Sequence, residues 1–307
     1  MSRPRLLQAM AERVLLGDGA MGTQLQQAGL ESGGCGEAWN LDHPERVLAI
    51  QRRYVEAGSD CLITNTFGAC RIMLARHDEA DRTAAINAAG VAIAREALGP
   101  DGFVLGDIGP FGGLMEPFGE IAREDVVRAF REQTKALVDA GADAIIVETQ
   151  TALEELEIAT LAARDAGAPV VIGSIAFDRM ADEDDVRTMM GVSPEQAAEF
   201  MAARGCDVAG LNCGTGVDTA MAARIVRRYR ETCGLPTMAQ PNAGQPVLEN
   251  MKVLYKETPE QMGERLTELL DAGARVIGGC CGSTPDHIRF FRRVLDRAGH
   301  MRKGTPA

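Results

Sequence analysis

Aromatic residues make up only 4% of this 307-residue chain, with a single tryptophan, Trp39, and three tyrosines. A core built on stacked rings is therefore excluded, and Ala, Gly, Val and Ile must fill it. Basic charge is also short: 32 Lys and Arg against 44 Asp and Glu leave a net charge of -12. That balance excludes an extended nucleic-acid surface or a face for anionic membranes. The cluster Arg224, Arg227, Arg228 and Arg230 reads as one solvated helix face. Long apolar runs are missing, and none approaches the roughly 20 residues that cross a bilayer. Residues 1–13 are polar and charged, so they do not read as a secretion signal. Histidine is scarce too. His43, His77, His287 and His300 fall in helical or terminal segments, none at a strand end.

Cysteine is not scarce. There are eight, and without secretory features they read as reduced thiols of a cytoplasm. Cys61 and Cys206 sit in apolar runs and read as core filling; Cys35, Cys70 and Cys233 carry no assignment. A hydrophobic content of 46% with 25% charge is ordinary for a globular chain with a large core.

A strand-then-helix unit recurs eight times. The expected strands are 14–20, 61–67, 103–109, 144–149, 170–177, 208–214, 237–244 and 276–282. Each is a short Val/Ile/Leu-rich run without strict alternation, as expected of parallel strands covered on both faces. Amphipathic helical stretches lie between them. Several open at Pro, as in Ser193-Pro194 and Thr258-Pro259, and close at Gly58, Gly141, Gly167 or Gly273. The turn Ala-Gly-x-Asp recurs at 57–60 and 140–143, with a near copy at 272–275. Eight such units predict a single α/β domain, a (β/α)8 TIM barrel over residues 1–299 with a loose tail at 300–307. A doubly wound open sheet is the runner-up, disfavoured because polar strand ends so numerous would not share one crevice.

The chemistry falls at the carboxyl ends of the strands, where such barrels place their sites. Asp18 follows the first strand, then come Asn65, Asp107, Glu148, Cys213, Asn242 and the pair Cys280-Cys281. Three long loops share that end: 31–40 with Trp39, 112–119 with Phe118, and an acidic, mobile stretch at 178–188.

Adjacent cysteines on a regular strand point to opposite faces, but the glycines of Gly278-Gly279-Cys280-Cys281-Gly282 relax that limit. With Cys213 in Asn212-Cys213-Gly214, three thiolates can converge from two strand ends, a zinc site with one open position. The other reading is a buried pair or a vicinal Cys280-Cys281 disulfide in a non-catalytic, redox-switch barrel. Zinc with three thiolates is a poor activator of water, yet it can bind a substrate thiol and strip its proton. Its natural use is alkyl transfer to a thiol. For a thiol amino acid, Asp18 and Glu148 suit the ammonium group, and the backbone N–H groups of the turn at 17–22 suit the carboxylate. A helix N-cap for Asp18 and a buried ion pair for Glu148 are the structural alternatives; Asp107 fits either role.

Gly-Asp-Gly-Ala-Met-Gly-Thr at 17–23, Thr-Asn-Thr-Phe-Gly at 64–68, Gly-Asp-Ile-Gly-Pro at 106–110, Val147-Glu148-Thr149, Asn212-Cys213-Gly214, Pro-Asn-Ala-Gly at 241–244 and Gly-Gly-Cys-Cys-Gly at 278–282 resemble the homocysteine S-methyltransferases. That family contains the betaine–homocysteine methyltransferases and the homocysteine-binding module of cobalamin-dependent methionine synthase. The resemblance covers about residues 10–297. It implies a zinc ion (Zn2+) held by Cys213, Cys280 and Cys281, with the homocysteine sulfur completing the tetrahedron. It also implies that Asp18, Gly19 and Glu148 clasp the amino acid end; Asn65 and Asp107, at their strand ends, are further substrate-binding candidates. Asn242 would be a resting-state placeholder on the metal. The products are methionine and a demethylated donor, by in-line displacement onto the zinc-bound thiolate.

The expected donor is a small onium compound such as betaine, between aromatic walls from Trp39 and Phe118. The segments 37–40, 115–119 and 187–191 resemble stand-alone bacterial enzymes assigned to betaine, whereas 106–109 and 241–244 resemble the cobalamin-dependent module equally. The aromatic pair that animal enzymes carry after the fourth strand is replaced by Thr149-Gln150-Thr151. S-methylmethionine, or methylcobalamin delivered in trans by a corrinoid protein, are the alternatives, since the chain offers no folate or cobalamin domain. Partners are thus small molecules, with no nucleic acid and no membrane; a homo-oligomer is left open.

Overall fold

The computed structural model describes residues 5–182, 185–249 and 252–302. Eight parallel strands form the central sheet: β1 (Leu15–Leu16), β2 (Cys61–Ile63), β3 (Phe103–Ile108), β4 (Ala144–Gln150), β5 (Val171–Ile175), β6 (Val208–Asn212), β7 (Thr237–Gln240) and β8 (Val276–Ile277). Each pairs with its sequence neighbours from β2 round to β8, and β8 pairs with β1, so the sheet curls into a (β/α)8 barrel. An open doubly wound sheet is ruled out by that β8–β1 pairing.

The seam between β1 and β2 is closed mostly by side chains. Asp60 N–H donates to Leu16 O at 2.7 Å, and Leu16 N–H donates to Asp60 Oδ2 at 2.9 Å. One turn higher, Ile63 N–H donates to Asp18 Oδ2 at 2.9 Å. The recurring Ala-Gly-x-Asp turn now has a physical role. Asp60 and Asp143, and likewise Asp207 in the similar turn Arg204-Gly205-Cys206-Asp207, each accept a backbone N–H from the neighbouring strand, from Leu16, Val104 and Val171. Each is also paired with an arginine, Arg13, Arg95 and Arg164 respectively. The helices are bounded as the sequence marks them: Ser193 and Thr258 form capping boxes with Gln196 and Gln261. Gly58 and Gly273 end helices in the left-handed conformation.

Side chains inside the barrel divide by height. Leu105, Ile146, Ile172 and Met238 pack with Leu6 and Met10 of the amino-terminal helix Arg5–Glu12, which plugs the bottom. Two residues further along each strand, and so on the same inward face, stand Asp107, Glu148, Ser174 and Gln240. An apolar floor thus carries a polar upper layer on the same strands. The larger apolar core lies outside the sheet, between strands and helices.

Two antiparallel hairpins were not anticipated. Asp178–Arg179 pairs with Val186–Arg187 within the acidic loop, of which Glu183 and Asp184 lie outside the described residues. Pro246–Glu249 pairs with Lys252–Tyr255 after β7. Of the expected loose tail, His300 is anchored: its Nδ1 accepts Val14 N–H at 3.2 Å, while residues 303–307 lie outside the described residues.

Candidate metal centre and substrate cleft

β6 ends at Asn212 and β8 at Ile277, so all three cysteines lie just beyond strand ends, where side-chain alternation no longer holds. Cys213 adopts φ 57, which turns its thiol toward the barrel axis. Gly214 follows at φ 88, and a Cβ there would strike Phe177 O at 1.9 Å, so only glycine fits. The cysteine pair hangs from neighbouring turns. Cys280 N–H donates to Pro241 O at 2.9 Å, and Cys281 N–H to Asn242 Oδ1 at 3.0 Å. Cys213 Sγ is 3.9 Å from Cys281 Sγ, Cys280 Sγ is 4.0 Å from Cys281 Sγ, and all three sulfurs lie within 4.8 Å of one another.

Those distances suit a shared tetrahedral metal, since bonds of about 2.3 Å to zinc place sulfurs about 3.8 Å apart. They do not describe a disulfide, whose sulfurs are about 2.05 Å apart, and all eight cysteines are free thiols. Hydrogen bonding among the sulfurs, first from Cys280 and then Cys281, pulls the Cys213 thiol well below its usual range. The same contacts, led by Cys213, push Cys280 and Cys281 up. A divalent ion would favour the ionised form of all three. By this test the residues fit zinc.

The thiols form the floor of a cleft of about 400 Å³, walled by Gly19–Thr23, Leu25, Leu30, Glu37, Ile63, Asn65, Phe67, Asp107, Glu148 and Gln240. Among the described residues, no Lys, Arg or His lines it. A larger hollow of about 590 Å³ opens at the opposite end beside Arg5, Arg13 and Asp60, and holds none of the cysteines.

The carboxylates are held in reserve. Burial, and then Glu148, push the Asp107 carboxyl well above its usual range, and the two groups share a hydrogen bond. Glu148 itself is raised by burial to about 7. Asp107 Oδ1 has no protein partner. Asp18 is raised by burial to about 8; it sits behind the cleft wall, with Oδ2 on Ile63 N–H and Oδ1 unpartnered. It is a seam residue rather than a helix N-cap: the next helix, Gly22–Gln27, starts four residues later without a side-chain cap. Buried carboxyls without a cation are costly, and an ammonium group would satisfy them.

Other expected site residues are placed differently. The Asn65 amide donates to Gly36 O at 2.8 Å and to Asn40 Oδ1 at 3.1 Å, so it straps down the loop at 31–40. Trp39 is 8% exposed, edge-on to His43 and under the Arg46 guanidinium at 5.0 Å. It does not line the cleft. Phe118 is 84% exposed and does not line it either. The aromatic walls expected of those two residues are therefore not assembled; Phe67 is the aromatic residue on the wall. The Asn242 oxygen is taken by Cys281 N–H and its Nδ2 donates to Gly214 O at 3.1 Å. Its amide braces the two cysteine-bearing turns.

Tyr255 and Glu37 escaped the sequence reading. The Tyr255 phenol, on the hairpin after β7, donates toward Cys281 Sγ. Glu37 Oε1 accepts Gly68 N–H at 2.8 Å on the cleft wall. Neither sits at the end of a barrel strand, the signal that marked Asp107, Glu148 and the cysteines.

A nearly closed (β/α)8 barrel with three converging thiols and a carboxylate-lined cleft defines the class of protein. The homocysteine S-methyltransferase profile matches residues 15–295, and the chain belongs to that family. It is 37% identical to the methionine synthase of Mycobacterium leprae over 95% of this chain and 25% of that protein. It is also 37% identical to the methionine synthase of Mycobacterium tuberculosis, over 92% and 25%. The chain thus spans about a quarter of the length of these relatives. Among solved structures, the metallated homocysteine methyltransferase MmuM of Escherichia coli superimposes with a TM-score of 0.75 at 23% identity, covering 94% of this chain and 99% of that one. Its apo form gives 0.70 at 22% identity, covering 94% and 100%. At that identity the likeness shows the barrel fold.

Proposed function

We propose that this chain methylates the sulfur of homocysteine to give methionine, using zinc held by Cys213, Cys280 and Cys281. Most directly in support is the convergence of three sulfurs on the floor of a cleft whose ionisable wall groups are all acidic. When bound, zinc would supply a Lewis acid that takes up a thiol and lowers its pKa, while thiolate ligands keep that sulfur electron-rich. The chain's own residues do the rest. Asp107 and Glu148 receive the substrate ammonium in place of the proton they share. The backbone of Gly19–Thr23, opening into the helix Gly22–Gln27, offers N–H groups to the carboxylate. With both ends of the amino acid fixed, its sulfur faces the cleft mouth, where the methyl carbon approaches in line. The sulfur–carbon bond forms as the donor–carbon bond breaks, and the thiol proton leaves to solvent.

For the donor, the methionine synthase relatives and the missing aromatic box support a methyl group carried on a corrinoid and presented at the open mouth. A small onium donor such as betaine or S-methylmethionine is the second reading, favoured by the acid-only lining and by Phe67 on the wall. Free thiols throughout support a reducing compartment such as the cytoplasm. No helix among the described residues is long and apolar enough to cross a membrane.

The test is a donor screen on zinc-loaded protein with L-homocysteine, offering methylcobalamin, betaine, S-methylmethionine and dimethylsulfoniopropionate in turn and measuring methionine. Turnover with methylcobalamin alone supports the corrinoid reading, and turnover with an onium compound the other. No methionine from any donor, or full activity after chelation, overturns the proposal.

A further inference from the structure

The backbone immediately after Glu148 is irregular. The β4–β5 ladder runs in register to Val147↔Gly173, then resumes only at Gln150↔Ile175. Thr149, within that gap, has φ 58. A β-branched residue rarely adopts the left-handed region, and a break of this kind beside a site re-aims the neighbouring side chain. Here the neighbour is Glu148.

Asn212, two strands away on β6, holds this conformation. Its Oδ1 accepts Thr149 N–H at 2.9 Å, and its Nδ2 donates to Thr149 Oγ1 at 2.8 Å. Oδ1 also accepts the Ser174 hydroxyl at 2.7 Å. The second Nδ2 hydrogen points at Cys280 Sγ, 3.9 Å away. Both donors and both lone pairs of the buried amide are thereby used. The Thr149 N–H also fixes which end of the amide is oxygen, because a flipped amide would set donor against donor.

We infer that Asn212 is a positioning residue serving both ends of the site. Its oxygen clamps the strained turn that presents Glu148 to the substrate ammonium, and its N–H orients and tempers the Cys280 sulfur. The inference rests on the proposed homocysteine and zinc chemistry, and it predicts that the two roles come apart on substitution. Outer hydrogen bonds to metal ligands typically change metal affinity by about 10–100-fold when removed.

Three variants test it: Asn212→Asp, Asn212→Ala, and Asn212→Ala with Thr149→Gly. Asp keeps the acceptor for Thr149 and Ser174 but replaces the donor at Cys280 with an oxygen. Zinc affinity is read by competition with a chromophoric chelator, and the sulfur environment by the absorption spectrum of the cobalt-substituted protein. L-Homocysteine affinity is read by calorimetry on zinc-saturated protein.

Asn212→Asp should lose about 10–100-fold in zinc affinity and shift the cobalt spectrum, with homocysteine affinity within about 3-fold of the parent. Asn212→Ala should lose both. Adding Thr149→Gly, which tolerates positive φ without strain, should restore homocysteine affinity toward the parent and leave zinc affinity low. Equal losses of both affinities in Asn212→Asp, or no change in either, would overturn the assignment. Should Asn212→Ala not fold, Asn212→Asp against the parent carries the test alone. The zinc and cobalt readouts stand whether or not any donor supports turnover, so a failed methyl-transfer assay is distinguishable from a failed role for Asn212.

Discussion

Cys213 Sγ lies 3.9 Å from Cys281 Sγ although 68 residues separate them in the chain. The contact joins the ends of β6 and β8, which flank β7 in the closed sheet. The pairing of both strands with β7 brings the two thiols together, and the proposed zinc chemistry depends on it.

Cys213→Ala or Cys281→Ala should therefore lower bound zinc from about one per chain to well below that, with methyl transfer lost. Cys206→Ala, in the apolar core against Thr160, should keep both while losing about 1 kcal/mol of stability. Metal analysis of dialysed protein and chemical denaturation separate the two outcomes.

Glu148→Gln removes a negative charge but keeps the shape. A hydrogen bond to a charged group contributes about 1.5–3 kcal/mol, so KM for homocysteine should rise about 10–100-fold. Zinc content should not change. Unaltered KM in steady-state kinetics would remove Glu148 from substrate binding.

Tyr255→Phe deletes the donor that reaches Cys281 from the hairpin after β7. Zinc affinity should fall about 10-fold, the lower end for an outer hydrogen bond, with homocysteine affinity unaffected. A chelator competition showing parental zinc affinity would make the phenol a packing residue only.

Glu155 lies on the helix Leu153–Asp165, with Oε1 accepting Phe111 N–H at 2.7 Å beneath the loop after β3. Burial raises its carboxyl from 4.5 to about 7. The folded state therefore holds a proton that the unfolded chain releases above 4.5. Its contribution is fully present below pH 4.5, falls as pH rises toward 7, and is flat beyond. Over that window the change is up to about 3 kcal/mol. Glu155→Gln should remove this slope and be more stable than the parent at pH 8; parallel stability–pH curves by urea denaturation would contradict the assignment.

At the opposite end of the barrel, Asp60 accepts Arg13 through both oxygens, at 2.9 and 2.8 Å, and also Leu16 N–H. Removing one partner of a buried pair costs about 3–5 kcal/mol. Asp60→Ala should show that loss in denaturant titrations, with zinc binding unchanged because the three thiols lie at the other rim.

Much of the site was legible because strand ends announce themselves. A short apolar run ending in Gly-Asp, Val-Glu or Gly-Gly-Cys-Cys places a reactive side chain where an inward-facing position meets solvent. That is how Asp107, Glu148 and the three cysteines could be read from order alone. Trp39 and Phe118 misled because a loop's position in sequence says only which face it caps, not which way a ring turns. Trp39 turns inward beneath Arg46 and Phe118 outward into solvent. Asn65 lies at a strand end like the others and lines the cleft, and its amide also straps a neighbouring loop, a role that its position in sequence did not announce. Tyr255 lay on a hairpin for which no periodic pattern gave warning.

By itself the amino-acid order determined the repeated β–α units, the end of the barrel that would carry the chemistry, and the thiols and carboxyls that would supply it. These follow from local rules: glycine and proline stop elements, and inward positions recur every second residue. Tertiary structure alone decided which groups meet. The 3.9 Å sulfur contact, the hydrogen bond between Asp107 and Glu148, and the Asn212 amide joining three strands all span 38 to 68 residues of chain. Distances of that kind are set when strands far apart in the chain pair side by side in a curled sheet, and no run of neighbouring residues encodes them.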